Sequence, residues 1–419
     1  MNDLKKEMYA IVGKVKQASS QIAMLDTSMK HKILLAMAKA LVSNSTAIIK
    51  ANKKDVSFAK KKGRNAAIID RLTLNEKRIK DMAQCLKEIA LFKDPVGSMS
   101  ESTTTDNGLF IGKMKVPIGV VGIIYEARPN VTSDCVGLCI KSGNAIILRG
   151  GSESINSNLA IFDILNKAGK KCGLPENSIY LIETIDRKAV DVLLGMTGLI
   201  DVIIPRGGES LIKEVVKKAK VPVIKHYKGV CHVYVDEYAD LNMANNIVMN
   251  AKVQRPGVCN AMETLLVHEH VAARFLPGIV KKLQDAGVEV RGDKMTKRIA
   301  KNIVAAKMSD WPKEYLDLIV SVKVVDDMAE AVEHIRKYGS SHSDAIVTDN
   351  YEHGLKFVKE VDSACVYINA STRFTDGNQF GKGAEMGIST DKLHARGPMG
   401  VEELTTYKYV VFGNGQIRE

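Results

Sequence analysis

At 419 residues the chain is long enough for two or three domains, each able to bury its own core. Hydrophobic residues at 45% and charged residues at 26% fit a globular protein, and there is no signal-peptide core or apolar run of bilayer length. The net charge of +12 raises the question of nucleic acid, but aromatics are only 5% and the lysines spread along helical patterns such as residues 50–62 and 213–220. The charge therefore reads as a solvated basic surface that also attracts anionic small molecules, and neither nucleic acid nor a membrane is expected as a partner. Seven scattered cysteines without a CxxC pair form neither a disulfide framework nor a zinc knuckle, which points to a reducing cytoplasm.

In chain order, residues 1–92 read as successive helices. One spans 28–44, with Ile33, Leu34, Met37 and Leu41 at helical spacing. Another pattern ends at 68–72, and a further helix covers 75–90. Residues 93–115 are polar and turn-rich, and 108–116 read as an exposed strand or hairpin arm. The pattern then alternates. Strands at 118–125, 145–148, 179–182 and 199–204 are separated or followed by helices at 131–142, up to 171, at 190–196 and up to 220. Short buried strands alternating with helices predict a parallel sheet covered on both faces, an α/β class. Two glycine turns follow strands of this sheet, Arg149-Gly150-Gly151-Ser152-Glu153 and Pro205-Arg206-Gly207-Gly208. Glycine between strand and helix lets backbone N–H groups approach a phosphate, and two such turns in one sheet suggest a dinucleotide.

A second α/β unit follows. Strands are expected at 230–235, 264–267, 319–325, 345–347 and 366–369, with helices at 239–251, 272–286 and 329–338. The tail ends in an apolar, β-prone segment, 405–412, suited to pairing with another subunit's edge. Within this unit lies Gln254-Arg255-Pro256-Gly257-Val258-Cys259-Asn260-Ala261. Pro256 and Gly257 permit a sharp turn, the apolar run after Ala261 anchors it, and Arg255 favours the thiolate of Cys259. Cys259 is the candidate nucleophile, although a free cysteine is more often a small buried hydrophobe. His268 and His270 flank Glu269 without an HExxH pattern, so no metal is assigned.

Residues 117–130 (Pro-Ile-Gly-Val-Val-Gly-Ile-Ile-Tyr-Glu-Ala-Arg-Pro-Asn) and Ser142-Gly143-Asn144-Ala145 resemble the aldehyde dehydrogenase superfamily. Within it, Tyr338-Gly339-Ser340-Ser341-His342-Ser343-Asp344 and Leu393-His394-Ala395-Arg396-Gly397-Pro398-Met399-Gly400 resemble the gamma-glutamyl phosphate reductase family, and the likeness runs along nearly the whole chain. The resemblance implies an aldehyde dehydrogenase-like fold: a cofactor-binding domain (1–104 and 124–228), a catalytic domain (229–368) and a β oligomerisation arm (105–123 and 396–419). It implies NADPH-dependent reduction of L-glutamyl 5-phosphate to L-glutamate 5-semialdehyde in proline biosynthesis, by a homo-oligomer, with the upstream glutamate kinase as a candidate partner.

By the same resemblance Cys259 is the nucleophile. Arg128 falls where the superfamily places an oxyanion asparagine, and Asn130 is two residues on; the choice between them stays open. Arg149, Gly150, Ser152, Arg206, Gly207, Gly208 and Glu314 are the implied cofactor residues. Arg149 with Ser152 suits a 2′-phosphate, and Glu314 a nicotinamide ribose. His342 is open between proton donor, phosphate ligand and structural histidine. One departure bears on chemistry. Oxidising relatives carry a glutamate that activates water, whereas Lys225-His226-Tyr227-Lys228-Gly229 has no acid, which favours reduction over oxidation to an acid. Two other classes use the same residues differently: a coenzyme A-linked aldehyde dehydrogenase or thiol acyltransferase, and a basic binding protein with an inert cysteine.

Overall fold

The computed structural model describes residues 3–418. Five helices open it: α1 (Asp3–Ile22), α2 (Thr27–Ser43), α3 (Ser45–Lys61), α4 (Ala66–Leu72) and α5 (Glu76–Leu91). Side chains set where three of them begin. Asp26 accepts from the N–H of Met29, Asn65 from Ile68 and Asn75 from Arg78, each satisfying a donor that the helix itself leaves unpaired. Helix α2 turns Ile33, Leu34, Met37 and Leu41 inward, the stripe its spacing predicts.

After α5 come β1 (Met99–Thr104), β2 (Phe110–Pro117), β3 (Val120–Tyr125), α6 (Asn130–Lys141), β4 (Ala145–Gly150), α7 (Ile155–Lys171), β5 (Ile179–Leu181), α8 (Lys188–Leu194), β6 (Val202–Arg206) and α9 (Glu209–Lys218). Strands β5-β4-β3-β6, in that order, form a parallel sheet. Every residue of β3 and β4 is buried, which is why β3 and residues 145–148 of β4 read as apolar runs. Pro205 is tolerated in β6 because that strand is an edge. Asn144 ties this sheet to the chain's end: its Oδ1 accepts the Gly119 N–H, and its amide donates to the Leu404 carbonyl.

A second parallel sheet follows, built from β7 (Cys231–Val235), α10 (Leu241–Val253), β8 (Met262–His268), α11 (Glu269–Asp285), β9 (Glu289–Gly292), α12 (Lys294–Ile299), β10 (Val304–Ala305), β11 (Ile319–Val325), α13 (Met328–Tyr338), β12 (Ser343–Val347), α14 (Tyr351–Glu360) and β13 (Cys365–Ile368). Its order is β10-β9-β11-β8-β7-β12-β13. The central strand β8 is buried along all seven residues and carries a fully buried ion pair, Glu263 to Lys252 of α10 at 2.7 Å. Burial pushes the Glu263 carboxyl up to about 7 and the Lys252 ammonium down, and their mutual attraction opposes both shifts.

Two short strands, β14 (Gly387–Ser389) and β15 (Gly397–Met399), pair with each other. The last strand, β16 (Thr405–Phe412), lies antiparallel along β2, with Thr405 opposite Pro117 and Phe412 opposite Phe110, completing a three-stranded sheet β1-β2-β16. The chain divides into two compact units. The first comprises Met1–Lys225, Gly381–Gly387 and Met399–Glu419, and the second His226–Phe380 and Ile388–Pro398.

The structure corrects several boundaries. The arm sheet takes in Met99–Thr104, expected in the cofactor domain, while residues 120–123, expected in the arm, belong to the buried strand β3. β1 is Met-Ser-Glu-Ser-Thr-Thr and wholly exposed, so it has no apolar alternation to betray a strand. The strand expected at 199–204 is β6, Val202–Arg206. Strands β9 and β10 and helices α12 and α14 went unread. β9 and β10 are short and near the sheet's edge, where few side chains are buried.

Candidate active site

In the second unit the chain leaves α10 at Gln254, turns through Arg255-Pro256-Gly257-Val258-Cys259-Asn260, and enters β8. The Ala261 N–H donates to the Val258 carbonyl at 3.1 Å, closing the turn around Cys259, which is half-buried. The Cys259 carbonyl is fixed from β7's side. It accepts from the Cys231 thiol at 3.2 Å, and it lies 1.8 Å from where a Cβ on Gly229 would stand. Only a residue without a side chain lets the two backbones cross there. The Gly229 N–H donates to Glu314 Oε1 at 2.7 Å, so Glu314, the implied ribose ligand, holds the strand entry that packs on the cysteine turn. These parts sit at the amino ends of neighbouring parallel strands: Gly229 before β7, Cys259 before β8, His342 before β12.

Four other cysteines are held as thiols. Burial pushes Cys85, Cys135, Cys139 and Cys231 above their ordinary range, Cys135 to about 12, and Asp134 reinforces the shift at Cys85 and Cys135. His342 is fully buried, and burial, with His226 nearby, lowers its pKa to about 3. Its burial thus disfavours the imidazolium that a charge-based role would need. Its Nδ1 lies 2.9 Å from Ser343 Oγ and 3.7 Å from Cys231 Sγ, the surroundings of a structural histidine.

Sequence reasoning missed the far wall of the turn. Asn260 is held by the segment after β13: its amide donates to the Thr375 carbonyl at 2.8 Å, and its carbonyl accepts from Thr372 Oγ1 at 2.8 Å. Arg373, between those two, donates from Nη1 to Asn260 Oδ1 and from Nε to Gln254 Oε1 at 2.9 Å. The available signal was one arginine amid hydroxyls, Ser371-Thr372-Arg373-Phe374-Thr375.

The other sequence candidates belong to the first unit. Arg128 is exposed on the turn after β3. Asn130 opens α6, and its amide donates to Asp134 Oδ2 at 2.9 Å. Arg149, at the carboxyl end of β4, is buried, with Nη1 on the Gly150 carbonyl at 2.9 Å, Nη2 on the Ile185 carbonyl at 3.1 Å, and Nε without a partner. Burial, with the Arg187 charge beside it, lowers its pKa. Ser152 is exposed and reaches Glu153, which pairs with Arg64 at 2.7 Å. Both glycine turns also have packing reasons. A Cβ on Gly150 would lie 2.1 Å from the Asn158 amide, and one on Gly207 2.6 Å from the Glu126 carboxyl carbon. Glu126 already accepts the Gly208 N–H at 2.9 Å. Arg206 is half-buried at the end of β6 and packs over Gly387, whose Cβ would sit 2.5 Å from its Nη1.

Glu237, His268 and His270 bring one ligand atom each within 4.8 Å of one another. The His268 Nδ1 accepts the His270 N–H at 3.2 Å as the cap of α11, which places its hydrogen on Nε2, facing Glu237 at 3.8 Å. With His270 Nδ1 3.0 Å from Glu237 Oε2, hydrogen bonds around the helix cap account for the cluster's geometry.

The aldehyde dehydrogenase family model matches residues 3–299. Gamma-glutamyl phosphate reductase of Caldanaerobacter subterraneus subsp. tengcongensis is 58% identical, covering 97% of this chain and 98% of that protein. That of Clostridium acetobutylicum is 55% identical, covering 100% of both. The crystal structure of gamma-glutamyl phosphate reductase from Thermotoga maritima superposes with a TM-score of 0.97 at 48% identity, covering 99% of this chain and 100% of that one. With its two parallel-sheet units, its cysteine turn and these full-length likenesses, the chain belongs to the aldehyde dehydrogenase family and, within it, to the gamma-glutamyl phosphate reductases.

Proposed function

We propose that the protein reduces L-glutamyl 5-phosphate to L-glutamate 5-semialdehyde and phosphate, using NADPH, as a step of proline biosynthesis in the cytoplasm. The observation that carries this reading is a half-buried thiol on a backbone-locked turn in a chain that matches gamma-glutamyl phosphate reductases end to end. The Cys259 thiolate attacks the acyl carbon; the C–S bond forms, the C–O bond to phosphate breaks, and phosphate leaves with its electron pair. A reduced nicotinamide, when bound, supplies the hydride that brings the acyl group to the aldehyde level. Collapse of the C–S bond returns the thiolate. Arg128 and Asn130 stay the two candidates for the oxyanion donor, and the Asn130 amide also donates to Asp134 Oδ2.

The first unit's residues fit a dinucleotide. Carboxyl ends of parallel strands carry the Arg149 and Arg206 turns, and the buried Arg149 Nε lacks a partner. Arg149, Ser152 and Glu314 are the residues we assign to it. The Gly208 N–H is the one donor that a cofactor would have to share with Glu126.

Residues 225–229 offer no carboxylate to activate water, and the acid brought to that stretch, Glu314, accepts the Gly229 N–H. Neutral water needs a base to take its proton, help worth ~10²–10⁴-fold, whereas phosphate arrives anionic. With glutamate 5-semialdehyde and NADP but no phosphate, the enzyme should release NADPH as a burst of one per active site and then stall. Adding phosphate should restore turnover. Steady formation of free glutamate without phosphate would overturn the reading.

We also propose a homo-oligomer joined through the sheet β1-β2-β16. β16 is an edge strand, with Tyr407, Tyr409, Val411 and Phe412 more than half exposed. A three-stranded sheet with that much apolar surface is a natural site for a second copy. Truncation after Gly400 should lower the sedimenting mass to that of the protomer; an unchanged mass would rule the interface out.

A further inference from the structure

Arg373 stands out among the cations of the second unit. Its guanidinium spans the cysteine turn, with one arm on Gln254 before it and another on Asn260 after it. Both acceptors are neutral amide oxygens. Among the described residues no carboxylate forms an ion pair with Arg373 or with Arg255, so the two positive charges beside the turn have no paired anion of their own. Burial and the Arg255 charge disfavour the Arg373 cation, while the Cys259 and Cys231 sulfurs and Asp376 favour it.

The arginine is also held in place. Thr375, two residues on, is fixed through Oγ1 by Ser343 Oγ at 2.6 Å and the Tyr367 hydroxyl at 2.7 Å. The Ser371 hydroxyl accepts the Arg373 N–H at 3.3 Å. A preorganised guanidinium with neutral partners and spare N–H groups is suited to a carboxylate or phosphate, which its planar fork can grip bidentately.

We propose that Arg373, with Arg255 beside it, is the subsite that binds an oxyanion of the substrate at the Cys259 turn. The proposal rests on the reductase reading for the identity of that anion. The substrate offers two, the phosphate that departs and the α-carboxylate that stays. Bound either way, the anion neutralises the uncompensated charge and orients the acyl carbon toward the sulfur.

The test is protection of Cys259 from iodoacetamide, read by mass spectrometry of the labelled peptide and normalised to the rate without anion. Inorganic phosphate and L-glutamate are the two protectants. In the wild type one of them should slow labelling, and the one that does identifies the group. In Arg373→Met its half-protecting concentration should rise about tenfold or more, the weight of a charged hydrogen bond, and Arg373→Lys should recover part of the loss. Should Arg373→Met fail to fold, Arg255→Ala, an exposed position, should weaken protection in the same direction. Equal protection in variant and wild type, or no protection by either anion, overturns the proposal. Labelling needs no turnover, so a wild type that is protected but shows no phosphate-dependent NADP reduction would sink the reductase reading and leave the subsite standing.

Discussion

Cys259→Ala should abolish turnover, with a loss on the order of 10⁶-fold, the scale of removing an enzyme's covalent nucleophile. Binding of NADPH, followed by fluorescence, should survive, because every cofactor residue assigned here other than Glu314 lies in the first unit. The fold should survive as well, since the side chain is small and only half-buried. The other cysteines are poor substitutes. Cys85, Cys135, Cys139 and Cys231 are kept protonated by burial, and the Cys231 thiol is spent on the Cys259 carbonyl. Activity within a hundredfold of wild type in the alanine variant would mean that another group carries the acyl chain.

Gly229→Ala should be nearly as damaging, although Gly229 performs no chemistry. The added Cβ would stand 1.8 Å from the Cys259 carbonyl oxygen and 2.7 Å from its Cα, and both are backbone atoms that cannot swing aside. Either the cysteine turn moves outward or Gly229 retreats and weakens its hydrogen bond to Glu314. Overpacking of this kind costs about 1–3 kcal/mol of stability. Displacing a nucleophile by an ångström costs roughly 10²-fold in rate. Thermal melting and kcat together check this. A variant with a lowered melting temperature but normal kcat would show that the turn adapts and that the crossing does not position the sulfur.

Much of the fold could be read from the chain because the parallel strands are buried on both faces and so appear as apolar runs; β3 and residues 145–148 of β4 are the clearest cases. The starts of α2, α5 and α13, capped by Asp26, Asn75 and Asp327, were legible, whereas the caps Asp293 and Asn350 did not reveal α12 and α14. The cysteine turn announced itself through Pro256-Gly257. What surrounds the cysteine did not, for a topological reason. The glycine turns that point to Arg149 and Arg206 lie beyond the carboxyl ends of strands, where open α/β sheets hold ligands. The cysteine turn and its neighbours sit at the amino ends of β7, β8 and β12 instead, where Gly229 and Cys231 read only as strand entry. Arg373 lies 113 positions from the Asn260 it clasps, and no local pattern reports such a contact. His342 sits in a polar, family-like motif by sequence, yet it is fully buried and its charged form disfavoured, something the motif alone does not reveal.

The pairing of β2 with β16 has a consequence for how the molecule is made. β2 leaves the ribosome before the second unit is made, and β16 only after it. Until then β2 has only β1 beside it, a wholly exposed polar strand, and two strands alone are marginal in water. The same holds for Asn144, whose amide waits for the Leu404 carbonyl. The second unit is nearly continuous between them and can gather its core while the first is still missing a strand. A nascent chain therefore carries an open edge at Phe110–Pro117 until β16 has been made, and the sheet proposed above as the meeting surface of two copies exists only from then on.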